Sequence, residues 1–119
     1  MYKPFHLIGL ELGISVLNAA LRGEPTGSAR VFRGDAVTIA KRDLAAGEVL
    51  DGEGGYTVWG KAIPAAKSLA EGCLPIGLAH GVRLTRNMIK GEMVRMADVA
   101  LDEEPEALRL RAEAELLVR

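Results

Sequence analysis

The sequence is poor in cysteine and aromatic residues, and it carries almost no net charge. Cys73 is the single cysteine among 119 residues, so an internal disulfide is excluded and a reducing, cytoplasmic location is expected. One Trp, two Tyr and two Phe leave the core to aliphatic side chains, among which a buried Cys73 would fit. The net charge of −1 lacks the clustered excess of Lys and Arg typical of nucleic-acid-binding domains, so no nucleic-acid partner is expected.

The N-terminal apolar stretch lacks the features of an export signal or a membrane span. It runs from Phe5 to Leu21, is interrupted by Glu11 and Asn18, and is followed by no small-residue cleavage site. The sequence therefore predicts no membrane partner.

Patterns for metal binding, nucleophilic catalysis and dinucleotide binding are also missing. His6 and His80 lie far apart, and neither has a ligand-like neighbour three or four positions later. No serine or cysteine has a histidine and an orienting group nearby. Gly52-Glu-Gly-Gly55 has the wrong spacing for a dinucleotide loop. We therefore assign no catalytic, metal-binding or cofactor-binding residue to this chain.

One segment of the chain occurs twice as an internal sequence repeat. Val37-Thr-Ile-Ala-Lys-Arg-Asp-Leu-Ala-Ala-Gly-Glu-Val-Leu50 returns as Val82-Arg-Leu-Thr-Arg-Asn-Met-Ile-Lys-Gly-Glu-Met-Val94, one residue shorter before the glycine. Each copy is predicted to be a hairpin, that is, a strand, a turn and a return strand that pairs with the first, with Gly47 and Gly91 supplying the turns. The repeat predicts a small, mainly β domain with a pseudo-symmetric core.

Helical patterns flank this repeat. The spacing from His6 to Arg22 predicts an amphipathic helix closed by Gly23. Further apolar residues, such as Ile8 and Leu12, widen its face beyond what a small domain covers, which indicates contact with another chain or domain. The interface candidates form one stripe, Leu7, Leu10, Ile14, Leu17 and Leu21.

The remaining elements follow from local composition. Ala36–Ala40 and the run from Tyr56 to Trp59 are predicted strands, and Pro64–Ala70 a short helix. Residues 108–115 alternate like a strand but consist of strong helix formers, so we favour a helix after Pro105, preceded by acidic residues from Asp102. The predicted divisions are a helix and linker over 1–30, a β core over 31–101 and a helix over 102–119.

The repeat resembles the SAF domain, also called antifreeze-like or β-clip. Ala40-Lys-Arg-Asp-Leu-Ala-Ala-Gly-Glu-Val-Leu50 and Thr85-Arg-Asn-Met-Ile-Lys-Gly-Glu-Met-Val94 both carry its strand, charged pair and Gly-Glu turn, with Leu74-Pro-Ile-Gly77 between them. The flanks, Tyr2-Lys-Pro-Phe-His-Leu-Ile-Gly-Leu-Glu-Leu-Gly13, Ala20-Leu-Arg-Gly-Glu-Pro-Thr-Gly27 and Leu74-Pro-Ile-Gly-Leu-Ala-His-Gly-Val82, are similar to the C-terminal part of homoserine-dehydrogenase-like oxidoreductases.

This resemblance implies a module that belongs to a larger enzyme. Such enzymes hold NAD(P) on an upstream Rossmann domain, followed by a catalytic domain. The module would serve assembly or cover the substrate site, in a homo-oligomer or with a separate catalytic chain, and would not be catalytic by itself. His6 and Glu11 lie where it joins the catalytic domain and are substrate-contact candidates, although they share a face only if His6 precedes the helix and folds back.

The resemblance also leaves a second interpretation open. SAF domains of sialic acid synthases place a basic side chain over a partner's sugar site, and Arg86 or Lys61 would suit such a role, since arginine binds carboxylate and phosphate through its planar fork. In the alignment, Lys41 and Arg42 correspond to Arg86 and Asn87. The alternative function is a stand-alone subunit of a lyase or hydratase that binds a sugar acid or sugar phosphate between Arg86, Lys61 and Trp59. Against it stands the simpler interpretation that these are exposed strand residues.

Overall fold

The computed structural model describes residues 4–28, 30–101 and 105–117. Over these ranges the chain is a small mixed α/β protein with three α-helices and five strands in two antiparallel sheets. It divides between Arg30 and Val31 into two compact units. The acidic residues 102–104 and residues 2 and 3 of the segment used for the resemblance lie outside the described residues.

The first unit is a helix that begins later than predicted. α1 spans Ile8–Leu17, and a π-helical segment continues it over Asn18–Arg22. Leu7 occupies the N-cap with a non-helical backbone, so the helix begins at Ile8, two residues after the approximate start predicted at His6. Gly23 ends the helix at φ 64°, the left-handed conformation that glycine adopts without a Cβ penalty, as predicted.

The second unit contains the five described strands and the other two helices. In chain order these are β1 Gly34–Ala40, β2 Val49–Asp51, β3 Val58–Pro64, α2 Ala65–Glu71, β4 His80–Leu84, β5 Val99–Ala100 and α3 Pro105–Glu115. The short helix predicted near Pro64 is confirmed as α2, which ends at Gly72 with φ 62°. The helix predicted over 108–115 is confirmed as α3, because its strong helix formers outweigh the strand-like alternation.

The strands do not pair as the repeat predicted. β1 pairs with β3 along Gly34–Ala40, whereas β2 pairs with β4, which also pairs with β5. The predicted hairpin within each copy is therefore wrong. Each Gly-Glu turn instead carries the chain from one sheet towards the other. β2 of the first copy pairs with β4 of the second, whereas β1 pairs with β3, which lies between the copies in the sequence.

The two copies interlock through reciprocal hydrogen bonds. The Leu44 N–H donates to the Met88 carbonyl and the Met88 N–H donates to the Leu44 carbonyl, both at 2.9 Å. Val94 of the second copy donates its N–H to the carbonyl of Thr38 in the first. Since a buried backbone group must find a partner, neither copy is a complete structure without the other.

The glycine turns correct the alignment of the copies. Gly47 and Gly91 have φ values of 84° and 83°, and each donates its N–H to a carbonyl of the other copy, at 2.8 and 2.9 Å. Counting back from these glycines, Arg42 matches Arg86, and both bond the glutamate that follows the glycine. The deletion we inferred from the sequence is therefore wrong.

Aliphatic side chains from both copies fill one core, as the composition predicted. Its buried members are Ala40, Leu44, Leu50, Val58, Leu74, Ala79, Leu84, Met88, Val94 and Val99. A smaller cluster joins Val37 and Ile39 of β1 to Cys73. Cys73 is 3% exposed and its thiol lies 2.8 Å from the Met93 sulfur, which confirms it as a core residue. Burial raises the pKa of that thiol.

Candidate functional site

The first unit exposes a large apolar surface, here called the α1 surface. No residue of α1 is buried, and the exposed fractions range from 52% at Leu7 to 78% at Leu21. The surface comprises Phe5, Leu7, Ile8, Leu10, Leu12, Ile14, Val16, Leu17 and Leu21. All five interface candidates belong to it. A helix whose apolar face is wider than its own small unit can cover normally lies against another part of a larger protein, so this surface is suited to burial against another chain or domain.

His6 and Glu11 come together at the start of α1. The His6 Nδ1 atom lies 3.3 Å from the Glu11 Oε2 atom, and the Glu11 Oε1 atom accepts the N–H of Leu7 at 3.2 Å. His6 precedes the helix and folds back, which is the condition that the sequence set for this pair. An ionised carboxylate only accepts, so a hydrogen bond within this pair requires the proton on the Nδ1 atom of His6. A histidine oriented by a carboxylate can transfer a proton at its other nitrogen.

Arg86 is held by acidic side chains of its own unit. Its guanidinium donates to both oxygens of Asp98, at 2.6 and 3.0 Å, and to Glu92 at 2.8 Å. A further donor reaches the carbonyl of Asn87 at 3.0 Å. The hydrogen bonds from Arg86 hold the pKa of Asp98 below its ordinary value. With these donors engaged, Arg86 stabilises the second turn rather than presenting an open fork to a sugar acid.

Trp59 and Lys61 lie on β3, away from that network in the fold. They are two positions apart on the strand, opposite Ile39 and Val37, and therefore share one face. Trp59 is 43% exposed, and Lys61 is exposed. Three cavities of the described chain are lined by other residues. The structure thus brings Trp59 and Lys61 together but places Arg86 in the second turn.

Sequence reasoning missed a cavity beside β4, here called the β4 cavity. Its volume is about 310 Å³, and its lining residues are Gly77, Leu78, His80, Gly81, Val82, Leu101 and Leu108. The His80 Nδ1 atom lies 3.1 Å from the backbone carbonyl oxygen of Asp51, in the neighbouring strand. The only signal in the sequence was a pair of glycines, Gly77 and Gly81, near His80. Such a pattern does not predict a cavity unless the fold is known.

A second missed arrangement is a buried ion pair between α3 and β1. Arg111 donates to both carboxylate oxygens of Asp35, at 2.9 and 2.7 Å, and the Ser68 hydroxyl donates to the same carboxylate at 2.6 Å. The guanidinium also lies 4.8 Å from the ring centroid of Phe32. Burial acts to raise the pKa of Asp35, but the bonds from Arg111 and Ser68 outweigh it and the pKa is lowered.

The glycine-rich loop after β2 closes on a carboxylate of its own. The Asp51 carboxylate accepts the hydroxyl and N–H of Thr57 and the N–H of Tyr56. The hydroxyl of Thr57 is the main cause that lowers the pKa of Asp51 to about 2. A negative charge already occupies the loop, so Gly52, Gly54 and Gly55 serve the turn and do not form an anion cradle.

In the described parts of the chain, no group of three or more His, Cys, Asp or Glu side chains is placed to hold a metal ion. None of the helices described has both the length and the apolar character needed to cross a bilayer.

Comparison of the sequence with models of protein families gives no match, and comparison with curated proteins gives none either.

Proposed function

We propose that this chain is the C-terminal SAF module of a homoserine-dehydrogenase-like, NAD(P)-dependent oxidoreductase, and that it assembles with the catalytic domain or covers its substrate site. The α1 surface carries the proposal. Nine large apolar side chains, each more than half exposed, make burial against a partner favourable by about 1.5–3 kcal/mol for each one fully covered. The His6–Glu11 pair at the start of the same helix would then face the partner's substrate.

The interlocked repeat supports a β-clip SAF core over residues 31–101. Two equivalent Gly-Glu turns connect two small sheets, and each copy completes the hydrogen bonds of the other. This arrangement agrees with a clip closed by pseudo-symmetric halves. It explains why each copy has its Gly-Glu dipeptide at the same position, since both glycines must adopt a positive φ.

The cofactor is assigned to a partner domain. A Rossmann site needs parallel strands linked by a crossover helix, with the pyrophosphate at the helix N-terminus. The described strands of this chain pair antiparallel, so its residues do not fit such a site. In this proposal NAD(P) binds upstream, and no catalytic step is assigned to this chain alone.

Sedimentation velocity tests the α1 surface directly. We expect concentration-dependent self-association of the chain, and a double variant, Leu10→Gln with Ile14→Gln, to weaken it. Losing two apolar contacts of roughly 1.5–3 kcal/mol each raises the dissociation constant roughly 100-fold or more. The matched control is Ile89→Gln, which replaces an equally exposed residue of the second unit, 68% exposed.

Association with a catalytic domain is tested by co-expression. The coding DNA beside the Met1 codon is searched for a Rossmann-encoding stretch, and its product is purified with this chain or with the double variant. We expect a stable complex that reduces NAD(P)⁺ with homoserine-type alcohols or oxidises NAD(P)H with sugar-phosphate-type carbonyl substrates, and a weaker complex with the double variant. A monodisperse monomer that also fails to bind that product would contradict the proposal.

The stand-alone sugar-acid subunit gains no specific support. Arg86 is engaged by Glu92 and Asp98, and Trp59 with Lys61 lies on a different element. Thermal-shift screening with sugar acids and sugar phosphates separates the two functions. Stabilisation of the isolated chain by such a compound would favour the stand-alone subunit.

A further inference from the structure

We infer that the β4 cavity binds a small uncharged molecule with an apolar body and a hydroxyl group that donates to His80. Four lining side chains are aliphatic, and the seven lining residues include no Asp, Glu, Lys or Arg. An apolar wall with a single polar ring suits a ligand with one hydrogen-bonding end. A charged ligand would lose its hydration there without gaining an opposite charge.

The cavity is a preformed space. Leu78, Val82 and Leu101 pack against the main core, so three of its walls rest on fixed side chains. A Cβ placed on Gly77 or Gly81 would meet no atom within 4 Å, which shows that the space beside both glycines is open. Gly81 also has φ 75°, a conformation that disfavours a side chain at that point.

A contact with the backbone orients the ring of His80. The carbonyl oxygen of Asp51 can only accept, so the His80 Nδ1 atom must carry the hydrogen. The Nε2 atom of the neutral ring is then an acceptor, and it matches a donor such as a hydroxyl. Gly52 makes room for this ring, because a Cβ there would lie 3.0 Å from the His80 Cβ.

The cavity volume limits the size of the ligand. About 310 Å³ lies at the lower end of the usual range for ligand pockets and is about twice the cavity that accepts benzene in an engineered protein core. A six-membered ring with one substituent fits this space.

Nuclear magnetic resonance of the full chain tests the inference with cyclohexanol and cyclohexanecarboxylate as probes. At mildly alkaline pH, cyclohexanol should shift the His80 ring and the Leu78 and Val82 methyl signals saturably, with a dissociation constant of about 1 mM. Cyclohexanecarboxylate should bind at least about 10-fold more weakly than cyclohexanol, since it offers no donor to Nε2. The His6 ring signal, which is not part of the cavity, is the internal reference.

A His80→Phe variant separates the hydrogen bond from the apolar contact. It keeps an aromatic wall but removes the acceptor, and a neutral hydrogen bond of about 1 kcal/mol corresponds to a roughly 5-fold loss of cyclohexanol affinity. Equal binding of both probes, or unsaturable shifts that affect His6 and His80 alike, would overturn the inference. The comparison of the probes on the unmodified chain holds even where the variant does not fold.

Discussion

Replacing Arg111 by methionine tests how α3 is attached to the β core. Methionine keeps the length and helix propensity of the side chain but leaves the Asp35 carboxylate, 6% exposed, with Ser68 as its remaining side-chain donor. Removing one partner of a buried ion pair costs about 3–5 kcal/mol. Because the Arg111 side chain is 15% exposed, we expect the lower value, about 3 kcal/mol.

The free energy of unfolding is measured by urea titration followed by circular dichroism. For a domain of this size, about 3 kcal/mol corresponds to a fall in Tm of roughly 12–24 °C. Arg109→Met is the matched control, since Arg109 lies on the same helix but its side chain is 54% exposed, and its removal should change stability by less than about 0.5 kcal/mol. If Arg111→Met behaves like Arg109→Met, the ion pair does not attach α3. Combining it with Asp35→Asn should cost much less than the sum of the two single changes.

Four further substitutions probe the second unit. Thr38 is fully buried and its hydroxyl has no hydrogen-bond partner among the described residues, so Thr38→Val should raise the unfolding free energy by about 1 kcal/mol in urea titrations. Gly47→Ala and Gly91→Ala should each lower it by about 1 kcal/mol, and equally, because both have the same positive φ; unequal losses would contradict the two-fold equivalence. The lowered pKa of Asp51 contributes stability that is complete above pH 3.8 and is lost as the pH falls through about 2; Thr57→Val should flatten that dependence in acid titrations.

The sequence predicted elements whose signals are local. α2 follows from Pro64 and the closing Gly72, α3 follows from its strong helix formers, and Gly47 and Gly91 were recognised as turns. The strand pairing was wrong because a repeat shows that two segments are alike and does not show which segment each one pairs with. Here the partner of Leu44 is Met88, in the other copy.

In the candidate sites, too, only contacts between residues that are close in the sequence could be predicted. His6 and Glu11 are five positions apart, so their contact needed only a fold-back before α1. Arg111 and Asp35 are 76 positions apart, and His80 and Asp51 are 29 apart. No sequence periodicity predicts a contact between residues that are so far apart along the chain. The apolar excess of α1 was visible in the sequence because it depends on composition alone.

The interlocked copies also have a consequence for synthesis on the ribosome. The Thr38 carbonyl accepts a hydrogen bond from the Val94 N–H. The first copy therefore emerges from the ribosome well before the second copy, whose backbone groups complete its hydrogen bonds. Equivalent positions of the copies are 44 residues apart, as Gly47 and Gly91 show, and translation at about 5–20 residues per second takes roughly 2–9 s to cover that distance. During this interval β3 can already pair with β1, but β2 and the Thr38 carbonyl lack their partners from the second copy, and apolar side chains of the first copy are presented to the cell. Nascent chains stalled between the two glycines should therefore recruit chaperones more strongly than chains released after Val94.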